Sequence, residues 1–248
     1  LNAEPLVFGL ENEERFRLER DLPSQVAEKL HRGESDLGMI PSIEYAFGDY
    51  AIVPGLAIGS RGPVRSVNLF HSVPLSELRQ VAFDTSSRTS VALAKVLLHE
   101  TLGRHPRYLD LPPSLPDMLE EAEAALLIGD PALYAETEVP RLDLGEEWTR
   151  RTGLPFVYAF WAGPRGVASA ADVARLQRAL REGLSAVDRI AAAYGGAGQE
   201  GRNASYLRTN VNYALGEEEK HGLLEFYRRA HALGLIPRLP ELRFYAQA

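Results

Sequence analysis

Short apolar runs bounded by glycine, proline and small polar residues recur through the first two thirds of the chain. Apolar positions spaced three or four apart take over in the last third. The first pattern predicts strands: 37–40, 51–58, 64–70, 81–83, 108–111, 124–128 and 156–162. Pro41 stops the first of these, and Ser42 is placed to cap the turn that follows. Helices are predicted from Pro23 to about Gly33, with Val26, Ala27 and Leu30 on one face, from Thr89 to Leu102, and over 115–122. From Ala170 onward, Val173, Leu176, Leu180, Leu184, Val187, Ala191 and Tyr194 share one stripe. This predicts a single helix of roughly 25 residues, broken by Gly195-Gly196-Ala197-Gly198. Two further helices are expected over 206–215 and 217–233. The latter has acidic residues in its first turn and Arg228-Arg229 late, which suits the helix dipole.

Strands alternating with helices, followed by helices alone, define an α/β chain. Two strand–turn–helix units, one ending at Ser42 and one at 85–90, are too far apart for one short crossover. This places them on two lobes: an outer lobe of 1–75 plus 163–248 and an inserted lobe of 76–162, with a hinge where the chain crosses twice. Two such lobes enclose a cleft.

Composition narrows the chemistry. With 27 basic and 34 acidic residues the net charge is −7, and there is no basic block of the kind that neutralises phosphates, so nucleic acid is not an expected partner. The absence of cysteine excludes disulfides, a thiolate nucleophile and cysteine-based metal sites, and fits a reducing compartment. No apolar stretch reaches the roughly eighteen residues of a membrane span. The six histidines show no metal-ligand spacing, so no metal is expected. Neither a phosphate-binding glycine loop nor Gly-x-Ser-x-Gly occurs.

The candidate chemistry sits in turns. Thr85-Ser86-Ser87-Arg88-Thr89-Ser90 carries five hydroxyls at a helix start, where capping needs one. Free N–H groups at such an end attract anions, so Ser86, Ser87, Arg88 and Thr89 are candidate carboxylate binders. Ser42, at the other turn, is either a plain cap or the holder of a second anionic group. Asp130 follows an apolar strand at the edge where open α/β sheets bind ligands, and Asp before Pro is equally ordinary turn chemistry. His71, near the first crossing, is the histidine to test as an acid or base.

These residues carry a family resemblance. The runs 33–45, 53–58 and 64–70, the motif Asp84-Thr85-Ser86-Ser87-Arg88-Thr89-Ser90 and the run Leu127-Ile128-Gly129-Asp130-Pro131 resemble the MqnA-type chorismate dehydratases of the futalosine route to menaquinone. The resemblance covers nearly the whole chain, less sharply after about 144. It implies a periplasmic-binding-protein-like fold of the second type and a cytoplasmic enzyme without metal or organic cofactor. The implied activity is loss of water from chorismate to give 3-(1-carboxyvinyloxy)benzoate. A relative in the same pathway acts on cyclic dehypoxanthine futalosine, and the Asp-Thr-Ser-Ser-Arg-Thr-Ser turn favours the dehydratase. Leu1-Asn2 resembles the end of the family's Tyr-Leu-Asn segment, so a first strand is expected ahead of Leu1, and Asn2 is implied as a functional polar residue. The rival reading is a non-catalytic receptor for an aromatic or dicarboxylic acid. Both monomer and homodimer are compatible with the sequence.

Overall fold

A computed structural model describes residues 1–196 and 198–247. Ala197, in the predicted glycine-rich break, lies outside the described residues.

The chain builds two sheets. In the first, β9 (Phe156–Pro164) pairs antiparallel with β1 (Gly38–Pro41), β2 (Tyr50–Ile52) and β3 (Ile58–Ser60). The second has the order β6 (Arg107–Leu111), β5 (Gln80–Asp84), β7 (Ala124–Ile128), β4 (Val67–His71), β8 (Arg141–Asp143). Here β5 is parallel to β6 and β7, and β4 is antiparallel to β7 and β8. The expected inserted lobe of 76–162 does not coincide with this division. Val67–His71 is hydrogen-bonded into the second sheet and Phe156–Pro164 into the first, so the sheets divide at 61–66 and 144–155. The reason is packing: every residue of β4 but His71 is buried between neighbours of the second sheet, and β9 is the strand on which the whole first sheet is assembled.

Helices α2 (Pro23–His31) and α4 (Leu115–Glu121) form close to where the apolar spacing puts them. So does α3 (Thr89–Leu102), which ends at Gly103 in the left-handed conformation. Helix α6 (Leu144–Thr152) forms where the apolar spacing predicts no helix. Asp143 starts it by accepting the N–H groups of Gly145 and Glu146, and its Trp148 is fully buried. Trp148, Phe156 of β9 and Phe226 of α10 (Glu217–Ala232) meet edge to face, with ring centroids 4.9–6.3 Å apart. Leu93 and Leu97 of α3 belong to the same core, so the two sheets share one apolar junction on this side of the molecule.

Three expected elements differ. The 51–58 strand is split by a turn at Pro54-Gly55 into β2 and β3. The single helix from Ala170 is two, α7 (Ala170–Ser185) and α8 (Val187–Ala193), broken at Ala186. The break lets α7 pack on α1 (Glu4–Val7) while α8 turns to pack on α9 (Glu200–Ser205). The expected 206–215 helix is a π turn at Tyr206–Asn210, after which Asn212 pairs with Gly59 as a β-bridge. Among the described residues no helix is long and apolar enough to cross a membrane.

Candidate active site

Between the sheets lies a cavity of about 1090 Å³, just above the roughly 300–1,000 Å³ that small-molecule sites occupy. The strand ends and turns of both sheets open into it. Met39 and Pro41 of β1, Tyr158 and Trp161 of β9, Ser66 before β4, the 84–90 turn and Ile128–Pro131 all line it. Residues 15–22, an irregular segment, close one side. Arg15 pins that segment to α7 through two 2.9 Å bonds to Asp172. Arg15 first, then the Ser169 backbone, holds the Asp172 carboxyl well below the usual carboxylate range.

The 84–90 turn is organised by Asp84. Its Oδ1 accepts the Ser86 N–H at 2.8 Å and the Ser86 hydroxyl at 2.6 Å, and its backbone oxygen accepts the Ser87 N–H at 3.1 Å. The Ser86 donor is therefore committed. The hydroxyls of Ser87 and Ser90, on buried residues lining the cavity, make no hydrogen bond among the described residues. No side chain caps α3, and the N–H groups of Thr89, Ser90 and Val91 are likewise without partners among the described residues. This leaves a bare fourteen-residue helix end with two free hydroxyls at the cavity, a ready site for a carboxylate. Arg88 lines the cavity but its guanidinium reaches away, to Glu28 at 2.6 Å and Glu44 at 3.3 Å.

Ser42 is fully buried and not part of the lining. Its hydroxyl donates to the Val157 carbonyl at 2.8 Å and lies 3.4 Å from Thr89 Oγ1, which accepts the Ile43 N–H. Ser42 caps nothing. The two turns adjoin instead of facing each other across the cavity, and Ser42 seats the start of α3. His71 is also outside the lining. Val67 and Ile128 border the cavity as partners at one end of β4, and His71 pairs with Ala124 at the other, about 13 Å along the strand. Its ring nitrogen is bonded to the Val73 carbonyl.

Asn2 and Asp130 both line the cavity. Gly129, the first residue of α5 (Gly129–Leu133), follows β7 with φ +63°, a conformation that residues other than glycine rarely adopt. Its N–H bonds the Ser66 carbonyl at 2.8 Å, which ties the start of β4 to the end of β7. Asp130 then accepts the Tyr194 hydroxyl at 2.6 Å. Burial and this carboxylate both keep the Tyr194 phenol protonated. Asn2 donates through Nδ2 to the Tyr206 hydroxyl at 3.4 Å, and its carbonyl accepts the Tyr213 hydroxyl at 2.9 Å. Asp84 Oδ2 and Trp161 Nε1, on lining residues, are buried with no partner. No group of three His, Asp or Glu side chains among the described residues is arranged to hold a metal ion.

A model of a menaquinone-biosynthesis family matches residues 1–232. The chain belongs to the menaquinone-biosynthesis family. Among family proteins, the chorismate dehydratase of Thermus thermophilus is 36% identical, the match covering 90% of this chain and 88% of that protein. Solved structures with the same architecture include a protein of Archaeoglobus fulgidus (TM-score 0.72, 20% identity, 95% of each chain). Another is a Candida albicans gene product described as having the generic periplasmic binding protein fold (TM-score 0.58, 11% identity, 95% of this chain and 88% of that one). A putative nitrate transport protein of Thermoplasma volcanium also shares it (TM-score 0.59, 13% identity, 99% and 92%). These likenesses establish the fold, which is periplasmic-binding-protein-like. In this family member Ser66, Tyr194 and Tyr206 also belong to the site, and no sequence motif marks them. Each sits in an apolar run or an expected helix, and only the tertiary fold turns its hydroxyl to the site.

Proposed function

We propose that this chain removes water from chorismate to give 3-(1-carboxyvinyloxy)benzoate. The observation that carries the reading is a relative named chorismate dehydratase, 36% identical and matched over 90% of this chain. The cavity supports it with the uncapped start of α3, fit for one carboxylate of a doubly negative acid.

In the reaction, the C–H bond at the ether carbon and the C–O bond of the neighbouring ring hydroxyl break. The ring becomes aromatic, and the proton and hydroxide leave as water. Aromatisation supplies the driving force, so the protein's task is to orient the two bonds and exclude side reactions. The Thr89, Ser90 and Val91 N–H groups with the Ser87 hydroxyl hold one carboxylate. Asp84 shapes the turn through Ser86, and Ser42 anchors Thr89. A neutral amide is a poor base, so Asn2 orients substrate or stabilises developing charge. The proton passes to the substrate's own enolpyruvyl carboxylate. Asp130 is the alternative acceptor on the cavity wall, with one oxygen committed to Tyr194. The cytoplasm as the site of this reaction accords with the cysteine-free composition. Two lobes that close on the substrate belong to the same reading, their crossings at 61–66 and 144–155.

Incubation with chorismate and identification of the product by mass tests the reading. A finer test concerns the turn. Ser87→Ala raises KM for chorismate roughly ten-fold, the loss of one hydrogen bond to a charged group. Ser86→Ala acts by loosening Asp84 and has the smaller effect on KM. Steady-state kinetics checks both, and unchanged KM and kcat in the two variants would remove them from the site.

A further inference from the structure

Two unusual backbone features meet at one hydrogen bond. Arg65 is the only described residue other than glycine with a positive φ, +64°, a conformation that persists only where surroundings enforce it. Asp143 enforces it by accepting the Val64 N–H at 3.1 Å and the Arg65 N–H at 2.6 Å, and Asn68 Nδ2 holds the Arg65 carbonyl at 2.8 Å. The consequence is that the next side chain, Ser66, is turned inward: it is buried and borders the cavity. The second feature is the π turn at Tyr206–Asn210, closed by the Val211 N–H on the Tyr206 carbonyl at 3.2 Å. Such turns are uncommon and concentrate at functional sites. Its first residue, Tyr206, is 1% exposed and places its hydroxyl 2.8 Å from Ser66 Oγ and 3.4 Å from Asn2 Nδ2.

The polarity of this group follows from its donors and acceptors. Asn2 Nδ2 only donates, so it fills a lone pair of the phenol oxygen. Among the described residues the phenol proton has no other acceptor than Ser66 Oγ once Asn2 points its donor there. Burial pushes the Tyr206 phenol up to about 12, so that proton stays in place across the neutral range. With its oxygen accepting from Tyr206, Ser66 has its own proton left to give. Asn2 lines the cavity, and its Oδ1 has no partner among the described residues.

We propose that Tyr206 is a positioning residue for the reaction: held by the π turn and by Ser66, it fixes the side-chain amide of Asn2 so that Oδ1 faces the substrate as an acceptor. Ser66 then presents a hydroxyl proton on the same wall. The inference rests on the chorismate reading for its kinetic consequence, but the fixed amide is a property of the ligand-free protein and is readable without substrate.

The experiment combines both readouts on wild type, Tyr206→Phe, Ser66→Ala, Asn2→Ala and the Asn2→Ala/Tyr206→Phe double variant. Tyr206→Phe lowers kcat about ten-fold with KM near wild type, as expected when an interaction serves the transition state alone. In the Asn2→Ala background the same substitution adds nothing, because its effect runs through Asn2. Ser66→Ala, which leaves the packing of the Tyr206 ring untouched, also lowers kcat. In amide NMR of the free protein, the Asn2 side-chain protons exchange slowly in wild type and rapidly in Tyr206→Phe. Equal kcat losses from Tyr206→Phe in both backgrounds, or an Asn2 amide that exchanges equally fast in wild type and variant, would overturn the proposal. A wild-type protein inactive on chorismate whose Asn2 amide is nonetheless protected would sink the reaction assignment and leave the positioning standing.

Discussion

Asn2→Ala lowers kcat for chorismate by roughly 10²–10³-fold, the cost of removing one preorganised polar group from a developing charge. The effect falls on kcat more than on KM because the amide is not part of the carboxylate-binding turn. That turn consists of the start of α3 and the hydroxyl of Ser87, both on the second-sheet side of the cavity. Asn2 comes from the segment ahead of α1 and is held by Tyr206 through its side chain and by Tyr213 through its carbonyl. Asn2→Asp fares no better than Asn2→Ala. A carboxylate cannot donate to the Tyr206 hydroxyl, and it sets a third negative charge against a substrate that already carries two. Turnover followed by product absorbance checks both variants, and activity near wild type in both would end the role of Asn2.

Gly183→Ala produces the second large effect, at a distance. Glycine inside a helix is ordinarily a liability of about 1 kcal/mol relative to alanine, yet here α7 has one. A Cβ at this position would lie 2.3 Å from the Pro5 carbonyl oxygen, 2.6 Å from its Cα and 2.8 Å from its carbonyl carbon. All three are backbone atoms, so no side-chain rotation relieves the clash and α1 must move off α7. Asn2 stands three residues before Pro5 and moves with it. Overpacking of this kind costs about 1–3 kcal/mol, a fall of roughly 2–12 °C in Tm for a chain this long. A displacement of the amide by about 1 Å costs up to 10²-fold in turnover. Gly201→Ala is the control. It lies in α9 with nothing within 4 Å of an added Cβ, and it leaves Tm unchanged or slightly raised. Scanning calorimetry and steady-state kinetics on the pair read both consequences. A Gly183→Ala protein with wild-type Tm and kcat would mean that the contact between α1 and α7 does not seat Asn2.

The parts legible in the sequence were those fixed by local rules. Helix α3 shows its apolar positions, its polar start and its terminating glycine within one short window, and the structure forms it over Thr89–Leu102. Strand β7 is an unbroken apolar run ended by glycine. What local patterns could not carry was sheet membership. Val67–His71 and Phe156–Pro164 look alike as buried strands, and only long-range pairing assigns each to its sheet. The same holds for Ser42. A hydroxyl after a strand and before a helical turn reads as a cap, but its donor goes to Val157, 115 positions away. Tyr206 was hidden by periodicity, since a π turn keeps a helical apolar spacing while adding one residue to the loop that closes it. Ser66 was hidden by strain at Arg65, which no pattern of residue types announces.

Aromatisation of chorismate in this cavity has a direct spectroscopic signature. Proton NMR of chorismate incubated with the wild-type protein reads it. The signal of the proton on the ether carbon disappears and the aromatic protons of a meta-substituted benzoate grow in, with the enolpyruvyl vinyl signals retained. Chorismate signals that broaden on binding and then persist unchanged would contradict it and make the molecule a receptor for the acid instead of its dehydratase.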